Sequence, residues 1–150
     1  MSAEFDDLDR IIIKNLQTNA RTPFSKIAKE AGVSEATILL RVRRLQQVGI
    51  IKSFRAIISP SKVGKSLSAF ILVRADPRKY SDVLNVVRNL SEVTEAYDVT
   101  GQYYLILRVD VADKESLAKV IDLIGAVEGV SSTETAIVLK EVKENVGIKI

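Results

Sequence analysis

Four apolar residues, Val83, Val86, Val87 and Leu90, return 34 positions later as Leu117, Val120, Ile121 and Ile124. Each set falls at i, i+3, i+4, i+7, the spacing of one apolar helix face. The segments KYSDVLNVVRNL and KESLAKVIDLIGAV are therefore predicted as two helices, each with one face to bury. Strand-like runs surround them. SAFILVRAD precedes the first helix, EAYDVT and YYLILRVDV lie between the two, and TETAIVLKEV follows the second. Gly101-Gln102, a Gly-X pair between the middle runs, fits a two-residue hairpin. The order β-α-β-β-α-β predicts a ferredoxin-like sandwich, with both helices on one face of a four-stranded antiparallel sheet. A sheet half open to water alternates apolar and polar residues, yet AFILV and YYLIL are unbroken apolar runs. The helices cover one face only, so the other calls for a second copy of the chain.

The first third follows another pattern. In DDLDRIIIKNLQTNA, Leu8, Ile12 and Leu16, with Ile13 alongside, form an apolar stripe at helical spacing, and Asp6 or Asp7 can cap its start. TPFSKIAKEAG predicts a second, short helix with Thr22 as N-cap, Pro23 in the first turn and Gly32 as the stop. A third runs from its N-cap Ser34 to about Val48, and Gly49 ends it. Ala28, Gly32 and Ile38 stand at relative positions 1, 5 and 11. A small residue there allows close helix approach, a glycine allows positive φ in the turn, and a branched apolar residue locks the next helix onto the core. This is the spacing of a helix-turn-helix, here over about residues 24–43, although other helical hairpins also use alanine and glycine. After Gly49, IIKSFRAIIS is predicted as a strand ending at Pro60, and SPSKVGKS as a linker. The expected fold class is α+β. A winged helix-turn-helix head over residues 5–66 is followed by the ferredoxin-like βαββαβ sandwich over residues 67–150.

The net charge of +3 is unevenly placed. Between Arg21 and Arg55, eight Lys/Arg stand against two Asp/Glu. Such a segment on an otherwise near-neutral chain points to a polyanion, or to a solvated helix face. Arg41, Arg43 and Arg44 crowd the third helix. At about 100° per residue, Ile38, Val42 and Leu45 face the core, while Ala36, Leu40, Arg43 and Gln47 face away. Leu39 and Arg44 flank the outer face. Arg41 lies at the edge, where its stem can pack while its head reaches out. An exposed leucine among arginines suits a DNA major groove, where arginine meets guanine edges or phosphates and an apolar group meets a thymine methyl. For any single arginine, phosphate contact or plain solubility outweighs base readout. The expected partner is double-stranded DNA. The candidate DNA-contacting residues are Ser25, Ser34, Glu35, Ala36, Thr37, Leu39, Leu40, Arg41, Arg43 and Arg44, with Ala36, Leu39 and Leu40 nearest the bases.

Cysteine and histidine are both absent. Their absence removes disulfides, cysteine nucleophiles, histidine bases and nearly every zinc site. No stretch clusters carboxylates, Lys, Tyr or Ser into a catalytic centre, so no catalytic residue, metal or cofactor is expected, and the chain is not expected to be an enzyme. An RNA-recognition sheet would carry aromatics in a K/R-G-F/Y-G/A-F-V-x-F/Y strand; GQYYLILRV lacks that pattern. No cationic start followed by an apolar run suggests a signal peptide, and no apolar run approaches the ~20 residues that span a bilayer. A cytoplasmic location, with no membrane partner, is the expectation. The rival to a sequence-specific regulator is a non-specific, chromatin-like DNA-packing protein.

SEATILLRVRRLQQVGIIKSFRAIISPSKVG resembles the signature of the Lrp/AsnC, or feast/famine, transcription regulators. DDLDRIIIKNLQTNAR and FSKIAKEAGVS resemble the family's first two helices. TGQYYLILRV and VSSTETAIVLK resemble its C-terminal effector-sensing (RAM) domain, so the likeness spans essentially the whole chain. Isoleucine-rich strands without cysteine are similar to archaeal members. The resemblance implies a homodimer assembling to a tetramer or octamer, and a strand after the head that helps pair two chains. It also implies control by a small molecule, commonly an amino acid. It places the effector near Gly101, Gln102, Tyr103 and Tyr104, with Thr133 and Thr135, at an interface between dimers. The family pattern at the hairpin is G-x-Y-D. Here Tyr104 takes the last position, so a carboxylate for a ligand ammonium is missing there, and Asp98 or Glu134 are the nearby substitutes.

Overall fold

The structure is a computed structural model, and it describes residues 5–144 and 147–150. Two compact units divide the chain. One holds the chain up to Ala56 and takes back the stretch from Lys143; the other is Ile57–Val142. The tail thus returns to the first unit. The local cause lies at Gln17, whose side-chain amide donates to the Ile148 carbonyl at 3.1 Å and accepts from the Ile148 N–H at 2.5 Å. An amide side chain thereby satisfies one residue of tail backbone as a neighbouring strand would.

The first unit is built on three helices: α1 (Asp7–Thr18), α2 (Phe24–Ala31) and α3 (Glu35–Gln47). Asp6 caps α1 in a reciprocal capping box with Asp9, which satisfies two otherwise orphaned backbone donors. Ser34 caps α3 as expected, accepting from the Thr37 N–H at 3.1 Å. The expected cap of α2 needs correction. Pro23, not Thr22, precedes its first turn, without a side-chain cap. The Thr22 hydroxyl instead donates back to the Asn19 carbonyl at 2.7 Å. Ile12, Ile27, Ile38 and Leu45 are fully buried together, with Ala28 and Val42 beside them.

The run Ile50–Ser59, expected as a strand, forms none. A strand needs a neighbouring strand for its backbone N–H and C=O groups, and no described strand pairs with this segment; the Ile51 N–H instead donates to the Leu45 carbonyl at 3.0 Å. Phe54, Ile57 and Ile58 are exposed. The following linker is partly ordered as a 3-10 turn at Pro60–Val63.

The second unit contains β1 (Leu67–Ala75), α4 (Tyr80–Asn89), β2 (Val93–Asp98), β3 (Leu105–Val111), α5 (Lys114–Gly125) and β4 (Val130–Ile137). The strands lie in the order β2-β3-β1-β4, with every neighbouring pair antiparallel. This is the ferredoxin-like βαββαβ arrangement. The repeated apolar sets both turn to the sheet but not residue for residue: on α4, Leu84 rather than Val86 packs against the core, and Leu90 lies just past the helix end, half-buried. Val83 and Val87 on α4, and Leu117, Val120 and Ile124 on α5, are buried against Ala69, Ile71 and Val73 of β1 and Leu105, Leu107 and Val109 of β3. The alternate residues Phe70, Leu72 and Ile106 face the other side of the sheet, where Phe70 is 37% exposed. The unbroken apolar runs thus divide into one covered and one open face.

The hairpin is longer than the two residues expected. The Val99 N–H donates to the Tyr104 carbonyl at 3.0 Å, so the connection is Thr100–Tyr103. Gly101 has φ 118, a conformation that side chains disfavour. A two-residue count follows the glycine alone and misses the backbone bond that closes the loop.

Candidate DNA interface and sensor site

The turn between α2 and α3 forms as the 1, 5, 11 spacing requires. Ala28 is buried, Gly32 sits at φ 68, and Ile38 is fully buried. The Val33 N–H donates to the Ala28 carbonyl at 3.0 Å, closing the end of α2. The outward side of α3 then carries Glu35, Ala36, Leu39, Leu40 and Arg43, all exposed, with Leu40 at 64%. Ser25 at the start of α2 is also exposed. Ser34 and Thr37 lie at the N-terminal end of α3, with their hydroxyls 2.8 Å apart within the cap.

The three arginines of α3 do not share one role. Arg43 is exposed and has no partner among the described residues. Arg41 is half-buried and donates to Asp6 at 2.6 Å and to Asp9 at 3.3 Å. Arg44 donates to the other oxygen of Asp9. The expectation that Arg44 flanks the outer face, and that the head of Arg41 reaches free, is corrected: both heads turn back to α1. Asp9 is fully buried, and a buried carboxylate requires pairing and hydrogen bonds. It holds both arginines, while its side chain also accepts from the Asp6 N–H at 3.3 Å. The Asp6 carboxyl is held below its ordinary value of 3.8, first by the Asp9 N–H and then by Arg41. A sequence signal for this pairing existed. Asp9, Ile12, Ile13 and Leu16 lie at i, i+3, i+4, i+7, so Asp9 stands on the core face of α1 and must find a cation.

In the second unit the candidate effector residues fall on two sides of the sheet. Val73 pairs with Thr133 and Ile71 with Thr135. Residues directly opposite point to the same face, so both half-buried threonines look toward the helices. Tyr104 also lies there. Its ring stands 6.0 Å from that of Tyr80 on α4. The Tyr80 hydroxyl is buried without hydrogen-bond geometry to any described group. Its pKa is pushed up to about 12, by burial first and by the neighbouring Asp98 second. On the open side, Tyr103 donates to Glu134. Arg74 lies 4.9 Å over the Tyr103 ring and donates to the Gln102 side chain at 2.7 Å. The backbone N–H groups of Gly101 and Gln102 have no partner among the described residues. Position 104 thus supplies a packed phenol rather than a free carboxylate. Arg74, which sequence reasoning did not single out, joins the hairpin because β1 runs beside β3.

A helix-turn-helix head joined to a ferredoxin-like domain with a charged hairpin end defines a class, the ligand-responsive DNA-binding regulators. Comparison with known proteins assigns the family within it. Residues 5–46 match the AsnC-type helix-turn-helix domain and residues 68–148 the Lrp/AsnC ligand binding domain. The chain is 40% identical over 150 residues to the HTH-type transcriptional regulator FL11 of Pyrococcus horikoshii, covering 100% of this chain and 99% of that protein. It superposes on the structure of Escherichia coli AsnC with a TM-score of 0.86 at 38% identity, covering 93% and 95% of the two chains. A feast or famine regulatory protein from Mycobacterium tuberculosis, solved with L-methionine, superposes with a TM-score of 0.89 at 31% identity, covering 97% and 99%. The chain belongs to the Lrp/AsnC family, and it is a DNA-binding transcription regulator of that type.

Proposed function

We propose that the chain reads operator DNA with the outward face of α3 and adjusts that reading to an amino acid or a related small molecule bound by the second unit. One observation carries the first half. Ala36, Leu39, Leu40 and Arg43 stand exposed together on a capped helix whose opposite side is buried. Apolar groups beside one free guanidinium suit thymine methyls and a guanine or phosphate. Ser25, Ser34, Glu35 and Thr37 border this face and belong to the proposed contact zone. Discrete, phased footprints over genomic fragments support a regulator; uniform coverage would mark a packing protein instead.

For the effector we propose the hairpin end of the sheet. The free N–H groups at Gly101 and Gln102, with Arg74, offer donors to a ligand carboxylate, and Glu134 is the carboxylate available to an ammonium. Thr133, Thr135 and Tyr104, on the helix side, border the same strand ends. The solved L-methionine complex of a relative supports an amino acid as the ligand class. Because Tyr104 supplies no charge, ordinary amino acids are expected to bind more weakly than in relatives with an acidic residue there. Calorimetry against a panel that includes L-methionine checks this. Tight binding that survives Glu134→Gln, Gln102→Ala and Thr135→Ala would place the site elsewhere. Regulation in the cytoplasm by a homodimer, or a tetramer or octamer of such chains, completes the reading.

A further inference from the structure

Asp9 sits in the wall of the three-helix core, beside Ile12, Ile13 and Leu16 on α1. Both its oxygens are engaged from α3, one by Arg41 at 3.3 Å and the other by Arg44. Asp6 adds a second carboxylate, 2.6 Å from Arg41, and its Oδ1 accepts from the Asp9 N–H at 3.0 Å. Two carboxylates and two guanidiniums form a neutral cluster, buried at Asp9 and half-exposed at Asp6 and Arg41. It fastens the second half of α3 to the first turn of α1. The Arg44 Nε is buried without a partner, so this guanidinium points inward at some cost in unsatisfied hydrogen bonding. A phosphate contact would instead need it in solvent. Arg43 lies about 160° around the helix from Arg41 and about 100° from Arg44, while Leu40 stands one turn before Arg44 on the adjoining face.

From this geometry we infer that Arg41 and Arg44 are positioning residues, set by Asp9 and Asp6, which brace α3 alongside its reading face and do not bind DNA phosphates. Of the three arginines, Arg43 alone adds to the electrostatic attraction. Base contacts tolerate little displacement, so a readout helix depends on the groups that lock it. Phosphate attraction is tolerant of orientation and set by charge count. The two roles therefore separate in one experiment. The inference rests on DNA reading by α3. Failure of the unmodified chain to enrich any duplex would sink that reading, an outcome distinct from the variant effects below.

The probes are a duplex enriched from a random pool by the unmodified full-length chain, and a scrambled duplex of equal length and composition. Affinity for both is measured across a salt series for Arg41→Gln, Arg44→Met and Arg43→Ala. Arg43→Ala should lower the salt slope on scrambled DNA by about 0.9, the value for one phosphate neutralised. Arg41→Gln and Arg44→Met should leave that slope unchanged and reduce the preference for the enriched duplex about tenfold or more. Asp9→Asn should lose the same preference, and combining it with Arg44→Met should recover part of it by removing the unpaired guanidinium. Arg41 pairs at the half-exposed end of the cluster, so Arg41→Gln decides the matter even where the Asp9 and Arg44 variants do not fold. A slope lowered by about 0.9 in Arg41→Gln, or an unchanged preference, would overturn the inference.

Discussion

Arg43 and Leu40 are both exposed on the outward side of α3, and the contacts proposed for them draw on different physics. A guanidinium near a phosphate displaces a counterion whatever the base sequence, while an aliphatic side chain meets only base edges. Arg43→Ala is expected to weaken binding to all duplexes, and Leu40→Ala to change which duplexes are preferred with little change in salt dependence. Binding titrations on random and enriched DNA, each at several salt concentrations, measure both. At Asp6 the relevant variable is pH. Its folded-state pKa is depressed, by the Asp9 N–H first and Arg41 second. Its contribution to stability is therefore fully present above the unfolded value near 3.8 and is lost as pH falls from there through the lower folded-state value. Thermal unfolding of the unmodified chain should lose more stability on acidification below pH 4 than that of Asp6→Asn, which keeps a capping side chain but cannot titrate. Equal losses would show that Asp6 does not contribute to the acid response.

Helices and strands were legible to the degree that their causes are local. The four-residue repeat in α4 and α5 needs only helical spacing and a face to bury, and both helices form where that spacing lies. Ser34 before Glu35 places the start of α3 because capping involves neighbours three residues apart. Ser34→Ala is accordingly expected to cost about 1 kcal/mol, measured as a shift in the denaturant midpoint, with a loss confined to the first unit. The inward turn of Arg41 and Arg44 was not read, because their partners lie more than thirty residues away on α1. Helical angles place a side chain on a face but do not say where its head ends. The Ile50–Ser59 run failed for a related reason. Its β-branched and aromatic residues describe a surface fit for a strand, but a strand exists only beside another. In the effector region, single-residue patterns grouped Tyr103, Tyr104, Thr133 and Thr135. The register of β1 against β4 then separated Tyr103 from the threonines, and no local pattern encodes register between distant strands.

For the whole molecule the unsettled surface is the open side of the sheet. Phe70, Leu72, Ile106 and the 53% exposed Tyr97 lie there, interleaved with Arg108, which approaches Glu95 and Asp110 at 3.8 and 3.7 Å. Apolar patches of this kind are uncommon on a monomer and mark association. The exposed Ile57 and Ile58, in a segment without a strand partner, add backbone donors and acceptors that a second chain can satisfy. Burying an apolar side chain contributes about 1.5–3 kcal/mol, so a few such residues weigh heavily in a dimer equilibrium. A charge placed among them is costly only if the face is covered. Leu72→Lys tests this: on a solvated face, with Glu134 directly across on β4, it is nearly neutral, and in a self-association interface it takes two ammonium groups out of water among apolar neighbours. Sedimentation of the full chain at micromolar concentration should show the unmodified protein as a dimer or larger and Leu72→Lys shifted toward monomer. The variant should keep its thermal unfolding in the helical head and lose affinity for two-half-site DNA more than for a single half-site. A monomeric unmodified chain, or an unchanged assembly in the variant, would remove the open face from the interface.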